Sequence, residues 1–162
     1  MKKIIILVAS IGNNLKLSQQ ICEVATASNF SCEIINLVEL SLPLYSTLEE
    51  EKGIPSKANE LSNVIKSSDA IISIAPEYNG SLPPCLNNAI CWISRASKDW
   101  REAFNGKPTL IATHSGGGGS HVLMAMRQQF SYIGANVLGR ELLTTNNKTL
   151  NLGSLDKCLK QL

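Results

Sequence analysis

The sequence has no long apolar run, no block of like charge and no paired-cysteine motif. Its 162 residues contain no stretch near the 18 or more apolar residues that a membrane-spanning helix needs. Fifteen Lys and Arg against 13 Asp and Glu give a formal charge of +2, without the basic cluster of a nucleic-acid-binding face. The five cysteines include no CxxC pair, which argues against zinc and against a disulfide framework. We therefore expect a cytoplasmic protein that binds no metal, no nucleic acid and no membrane.

One domain, spanning residues 1–162, accounts for this length, because domains commonly contain about 100–150 residues. The chain has no room for a cofactor domain and a separate substrate domain, so any multi-step chemistry would share one site. The first apolar run lacks the small-residue cleavage pattern of a secretory signal peptide. A buried strand is the better interpretation of that run.

Short β-branched runs alternate with helical patterns along the chain. The runs are apolar without strict alternation, as expected of parallel strands buried on both faces, and lie at Lys3–Ala9, Cys32–Leu37, Ala70–Ala75, Thr109–Thr113 and Asn136–Leu138. Apolar residues spaced three and four apart predict helices around 17–25, 58–65, 86–93, 122–133 and 155–162. This order predicts an α/β fold: a three-layer, doubly wound, five-stranded parallel sheet with the flavodoxin-like strand order 2-1-3-4-5. Ligands of such sheets bind at the carboxyl ends of the strands, which directs attention to the loops after strands one, three and four.

Loop one (Ser10–Lys16) leads from the first strand into the first helix. It matches neither the GxGxxG pattern of a dinucleotide fold nor the GxxxxGK[ST] pattern of a nucleoside-triphosphate loop. A small polar loop at a helix N-terminus suits a phosphate monoester, which backbone N–H groups would hold. Plain helix capping by one of its two asparagines is the alternative. The candidate phosphate contacts are Ser10, Asn14, Leu15 and Lys16.

Loop two (Pro76–Pro84) and loop three (His114–His121) follow the third and fourth strands. Prolines restrict loop two, so Tyr78 could flank a planar ring while backbone N–H groups reach its heteroatoms. Four consecutive glycines in loop three let its backbone approach a flat ligand and direct several N–H groups at one edge. A proline-capped turn with an exposed tyrosine, and structural histidines at the ends of loop three, are the alternative. The candidate ring contacts are Pro76, Glu77, Tyr78, Asn79, Gly80, Ser115, Gly116, Gly117 and Gly118.

A phosphate cradle, a rigid aromatic wall and an N–H-rich edge together suit flavin mononucleotide (FMN). Two segments closely resemble motifs of the NAD(P)H-dependent FMN reductase family. One is Pro76–Pro83 (PEYNGSLP), which resembles the family motif PEYNGS[IL]P. The other is Leu86–Trp92 (LNNAICW), which resembles the family motif LKNAIDW. The glycine run and the segment Gly134–Leu138 resemble two further motifs of that family. Three positions depart from it: Gly12 replaces an arginine in a loop that also lacks the second serine, Cys91 replaces an aspartate, and His114 replaces a small hydroxyl residue.

The resemblance implies FMN as cofactor and NAD(P)H as co-substrate. It implies hydride transfer through flavin N5 to a small-molecule electron acceptor, such as a quinone, free flavin, azo dye or chromate, by a ping-pong route. No side-chain acid, base or nucleophile is required by this chemistry. The resemblance further implies a homodimer or homotetramer.

Two other classes of function remain open at this point. A flavodoxin-like electron-transfer module would show an acidic docking face and a stable one-electron-reduced flavin. The near-neutral charge argues against the acidic face. A redox sensor would use Cys85 or Cys91 near the ring, although packing of two cysteines in a helix is the simpler interpretation.

Overall fold

A parallel sheet forms the centre of the computed structural model, which describes all residues, 1–162. Its strands are β1 (Lys3–Val8), β2 (Ser31–Asn36), β3 (Ala70–Ile74), β4 (Pro108–His114), β5 (Asn136–Val137) and β6 (Leu142–Thr144). The main strands follow the order β2-β1-β3-β4-β5, which confirms the predicted order. Each neighbouring pair is parallel.

The last position of the sheet is divided between two strands, where the sequence predicted a single strand over 136–138. β5 pairs with the start of β4, and β6 pairs with its end, where Thr144 lies opposite His114. Between them the chain leaves the sheet, and the Arg127 guanidinium spans the gap by donating to the Leu138 carbonyl and to the Glu141 carboxylate. The divided strand therefore brings Thr144 and the residues after it to the carboxyl edge of the sheet.

Helices cover both faces of the sheet and make the three predicted layers. They are α1 (Asn13–Ala27), α2 (Leu37–Leu40), α3 (Thr47–Glu50), α4 (Ser56–Lys66), α5 (Pro84–Arg95), α6 (Ser120–Tyr132) and α7 (Leu152–Leu159). Alternate β1 side chains point to opposite faces. Ile4 and Ile6 pack in the layer with α1 and α7, whereas Ile5 and Leu7 pack in the layer with α4, α5 and α6. None of the helices is both long and apolar enough to cross a membrane.

The long connection between β2 and α4 contains the unpredicted short helices α2 and α3 and is anchored on α5. The Trp92 indole N–H donates to the Pro43 carbonyl (2.7 Å), and the Tyr45 ring meets the Trp92 ring edge-on at 5.2 Å. The Asn88 side chain accepts the Tyr45 backbone N–H at 2.7 Å. These contacts hold the connection against the middle of α5, the helix that follows loop two.

Candidate functional site

Loops one, two and three meet at the carboxyl edge of the sheet, as predicted, and hydrogen bonds join them. The Asn14 amide donates to the His114 carbonyl (2.9 Å) and accepts the His114 backbone N–H (2.7 Å), which joins loop one to loop three. Below them, the Thr113 hydroxyl donates to the Ala75 carbonyl (2.7 Å) at the ends of β4 and β3. The three loops therefore form one connected surface.

Loop one presents backbone N–H groups at the start of α1. The Ser10 hydroxyl accepts the Gly12 N–H (3.0 Å), and no side chain caps the helix. The N–H groups of Asn13 and Asn14 have no acceptor within the chain. These donors suit an anion, whereas the Asn14 side chain is bonded to the His114 backbone. Lys16 is exposed on α1, and Leu15 is half-buried against the core layer of α1.

Loop two contains a tight two-residue turn. Tyr78 and Ser81 exchange backbone hydrogen bonds of 3.1 and 3.0 Å, with Asn79 and Gly80 at the turn. Both turn residues have positive φ, 51° and 70°, the geometry that an Asn-Gly pair favours. Their N–H groups find no acceptor within the chain, and Tyr78 is 51% exposed. The turn thus holds an aromatic side chain and two free donors in a fixed arrangement.

Glu77 joins loop two to the helix that follows loop three. Its carboxylate accepts the backbone N–H groups of His121 (3.1 Å) and Val122 (3.2 Å) at the start of α6. The His121 imidazole lies 3.6 Å from the other carboxylate oxygen. The sequence predicted Glu77 as a ring contact. The structure shows in addition that it caps the start of α6, a role that the loop sequence alone does not reveal.

Loop three leaves its glycine backbone open toward the carboxyl edge. The Ser115 N–H donates to the Thr144 carbonyl (3.0 Å), and the Ser115 hydroxyl accepts the Gly117 N–H (3.1 Å). The N–H groups of Gly116 and Gly118 have no acceptor within the chain. These two unpaired donors add to those of loops one and two.

The four glycines of loop three differ in whether the fold requires a glycine at their position. A Cβ at Gly116, Gly117 or Gly118 would meet nothing closer than 3.9 Å, and none of the three has positive φ. Gly119 has φ of 69°, and a Cβ there would lie 2.7 Å from the Leu143 side chain. Packing therefore requires only Gly119, which the sequence did not single out, while the other three leave room for something outside the chain.

The two cysteines proposed as sensors lie in unreactive surroundings. Burial raises the pKa of Cys85, whose thiol points at the Ala9 carbonyl (3.9 Å). Burial also raises the pKa of Cys91. Because the thiolate is the reactive form, neither environment favours redox sensing.

A doubly wound parallel sheet with the strand order β2-β1-β3-β4-β5 has the flavodoxin-like fold. An archaeal flavodoxin shares the fold with a TM-score of 0.65 at 14% identity, over 98% of this chain and 92% of that one. The sequence matches the family described as "NADPH-dependent FMN reductase" over residues 2–149. The chain belongs to this family.

Individual relatives agree with the family. A quinone reductase of Escherichia coli K12 is 35% identical over 102 residues, which is 61% of this chain and 53% of that protein. A quinone reductase of Pseudomonas putida KT2440 is 34% identical over 74% of this chain and 63% of its own. The flavoenzyme FerB of Paracoccus denitrificans, an NAD(P)H:(acceptor) oxidoreductase, has a TM-score of 0.74 at 26% identity over 86% of this chain and 76% of its own. The matched region thus spans between about half and two thirds of the quinone reductases' length.

Proposed function

We propose that this chain is an NAD(P)H-dependent reductase that binds FMN on loops one, two and three and reduces a small diffusible acceptor. The observation that carries the proposal is the set of three glycines, Gly116, Gly117 and Gly118, which the fold itself does not require. Side chains at these positions would fill the space that a flat ring needs. Unpaired N–H groups on all three loops supply the complementary donors.

The residues present fit FMN at both ends of the cofactor. The free N–H groups of Asn13 and Asn14 suit its phosphate, and the Ser10 hydroxyl can donate to the same group while it accepts from Gly12. Tyr78 would flank the isoalloxazine, with the N–H groups of Asn79 and Gly80 reaching its polar atoms. The chemistry that FMN supplies when bound is hydride transfer from NAD(P)H to an acceptor such as a quinone, free flavin, azo dye or chromate.

The protein's own contribution is positioning and charge stabilisation. The N–H groups of Gly116 and Gly118 would stabilise negative charge on the pyrimidine edge of the ring, as an oxyanion hole does. Glu77 holds loop two against α6, so the two walls of the ring site keep their spacing. No side chain in the three loops is needed as an acid, base or nucleophile.

Donor and acceptor would use the same exposed ring face in turn, which is the ping-pong route. Relatives that are a quinone reductase and an NAD(P)H:(acceptor) oxidoreductase support small acceptors of this kind. A homodimer or homotetramer fits the exposed apolar side chains near the site, Tyr78 of loop two and Met124 of α6. Five free cysteines fit a reducing cytoplasm.

The test begins with titration of the purified protein with FMN, and flavin fluorescence measures the binding. We expect saturable binding, bleaching of the flavin absorbance by NADPH or NADH without oxygen, and recovery of colour when a quinone is added. Failure to bind FMN would refute the proposal. Binding without bleaching, together with a stable one-electron-reduced flavin on photoreduction, would identify an electron-transfer module instead. Light scattering of the same sample measures the oligomeric state.

A further inference from the structure

The fold brings the thiols of Cys22 and Cys32 together, although these residues form no CxxC pair and lie ten positions apart in the sequence. Cys22 belongs to α1, and Cys32 lies near the start of β2, the edge strand that pairs only with β1. Cys32 and Ile34 share the strand face that packs toward α1. The Cys22 thiol donates to the Cys32 carbonyl at 3.7 Å. Burial, and next to it hydrogen bonding with the Cys22 thiol, raise the pKa of Cys32, so the two sulfur groups interact directly.

The other three cysteines have no thiol neighbour of this kind. The Cys85 thiol points at the Ala9 carbonyl (3.9 Å), and Cys158 is completely buried in the core. No cysteine is among the groups that shift the pKa of Cys85, Cys91 or Cys158. Because a disulfide forms only between cysteines that are already neighbours, Cys22 and Cys32 are the one pair in the chain placed to form it.

The two thiols of this pair differ in their access to solvent. A shallow recess of about 600 Å³ opens between α1 and β2, where Cys22 and Ile34 line it and Cys32 does not. The raised pKa of Cys32 also keeps its thiol protonated at neutral pH, and the thiolate is the reactive form. A small oxidant that enters the recess therefore meets Cys22 first, with Cys32 lying behind it.

We infer that hydrogen peroxide converts Cys22 and Cys32 into a reversible intramolecular disulfide that fastens the edge strand β2 to α1. The Cys22 thiolate attacks one peroxide oxygen, the O–O bond breaks, and the released hydroxide takes up the proton that Cys22 lost and leaves as water. Cys22 is then a sulfenic acid. The Cys32 sulfur attacks the Cys22 sulfur, the S–O bond breaks, and the hydroxide leaves with the Cys32 proton as a second water. The two thiols lose two electrons, and one peroxide is reduced to two waters.

The disulfide would act on the least supported strand of the sheet. β2 has a neighbouring strand on one side only, and edge strands open more readily than central ones. A bond from Cys32 to α1 restrains this strand from its other face. Neither cysteine lies in loops one to three, so the inference is independent of the proposed function.

Mild peroxide treatment of the folded protein, followed by alkylation and peptide mapping without reductant, tests the inference. We expect the intact mass to fall by two hydrogen atoms, one pair of peptides to be linked through Cys22 and Cys32, and a phosphine reductant to reverse the link. The melting temperature should rise by about 5 °C on oxidation, because the bond closes a loop in the unfolded chain. Cys91→Ser, a substitution in α5, is the matched control and should form the same link.

Two further variants test the order of the steps. Cys32→Ser should stop at a sulfenic acid on Cys22, which dimedone labels, whereas Cys22→Ser should give neither a link nor a label on Cys32. A label on Cys32 in Cys22→Ser would overturn the assignment of Cys22 as the first thiol to react. Absence of the Cys22–Cys32 link in the wild type, or its formation only after unfolding in urea, would overturn the inference. So would a link that leaves the melting temperature unchanged, because β2 would then not be fastened. None of these measurements requires FMN, so failure here and failure of the proposed function are distinguishable.

Discussion

The side chain of Asn14 and the backbone of His114 exchange two hydrogen bonds, of 2.9 and 2.7 Å, across 100 positions of sequence. Asn14 is 3% exposed, so water does not replace these bonds readily. The pair joins the phosphate-binding end of the proposed site to its glycine-rich wall. The amide thus serves the site by holding loops one and three together, and the backbone N–H of the same residue remains free for a ligand.

Asn14→Ala should destabilise the protein by about 1–3 kcal/mol, because it removes the partner of two partly buried His114 backbone groups. FMN affinity should fall as well, since the two loops lose their connection. Urea unfolding of the protein without ligand measures the first effect, and fluorescence titration the second. Asn13→Ala is the control: Asn13 is exposed and its side chain has no partner, so stability should be unchanged. Equal stability of the two variants would contradict this role for Asn14.

Gly117→Ala and Gly119→Ala should separate ligand binding from folding. Gly119→Ala forces a side chain into positive φ and against Leu143, which should cost about 1–2 kcal/mol or more of unfolding free energy. Gly117→Ala meets only the Ser115 hydroxyl at 4.0 Å and should leave stability within about 0.5 kcal/mol. FMN affinity should nevertheless fall by about tenfold or more in Gly117→Ala. Unchanged FMN binding in that variant would show that the open glycine surface does not face the ring.

Glu77→Ala should be less stable than Glu77→Gln, although both substitutions remove the carboxylate charge. The alanine leaves the N–H groups of His121 and Val122 without an acceptor, at a cost of about 0.5–2 kcal/mol. The glutamine keeps an oxygen that can accept them, so it should retain most of the stability. Hydrogen exchange at these two amides should speed up in the alanine variant and much less in the glutamine variant. Equally fast exchange in both would mean that charge, rather than the hydrogen bonds, fixes the start of α6.

Stability should decline above about pH 9 in reducing buffer. Burial raises the pKa of Cys85, Cys91 and Cys158 above their ordinary value of 9.0. Above pH 9 these thiols ionise in the unfolded chain but stay protonated in the folded chain. Their contribution to the free energy of unfolding is therefore complete below pH 9 and is lost as the pH rises toward the folded pKa values. Burial lowers the pKa of Lys107 from 10.5. Loss of its proton therefore adds to the free energy of unfolding as the pH rises toward 10.5, which opposes the effect of the thiols.

Urea unfolding at several pH values between about 8 and 10.5 measures the net effect. Cys158→Ala removes one of the contributing thiols, so its unfolding free energy should decline less steeply than that of the wild type. The slope with pH is compared rather than the absolute stability, because the substitution also removes buried volume. Parallel slopes would contradict the assignment to Cys158.

Periodicity predicted the long elements because their burial repeats along the chain. β1 and β3 are buried on both faces and read as continuous apolar runs, and the stripe at 17–25 lies inside α1. The short elements α2, α3 and β6 have only three or four residues, too few for a period to appear. Between β5 and β6, Arg127 bonds to Leu138 and Glu141, contacts from a distant helix that local sequence does not encode.

The site was predictable as a set of loops and less so as a set of contacts. Parallel topology brings the carboxyl ends of β1, β3 and β4 together, so the three loops follow from strand order alone. The hydrogen-bond partners of Asn14 and Glu77 lie 100 and 44 residues away in the sequence, and no local pattern predicts them.

Amide hydrogen exchange of the protein with FMN, with riboflavin and without ligand tests the central claim most directly. FMN should slow exchange at Asn13 and Asn14 of loop one, at Asn79 and Gly80 of loop two and at Gly116 and Gly118 of loop three. Riboflavin, which lacks the phosphate, should protect only the residues of loops two and three. Protection by FMN confined to other segments, or identical patterns for the two ligands at loop one, would contradict the three-loop site.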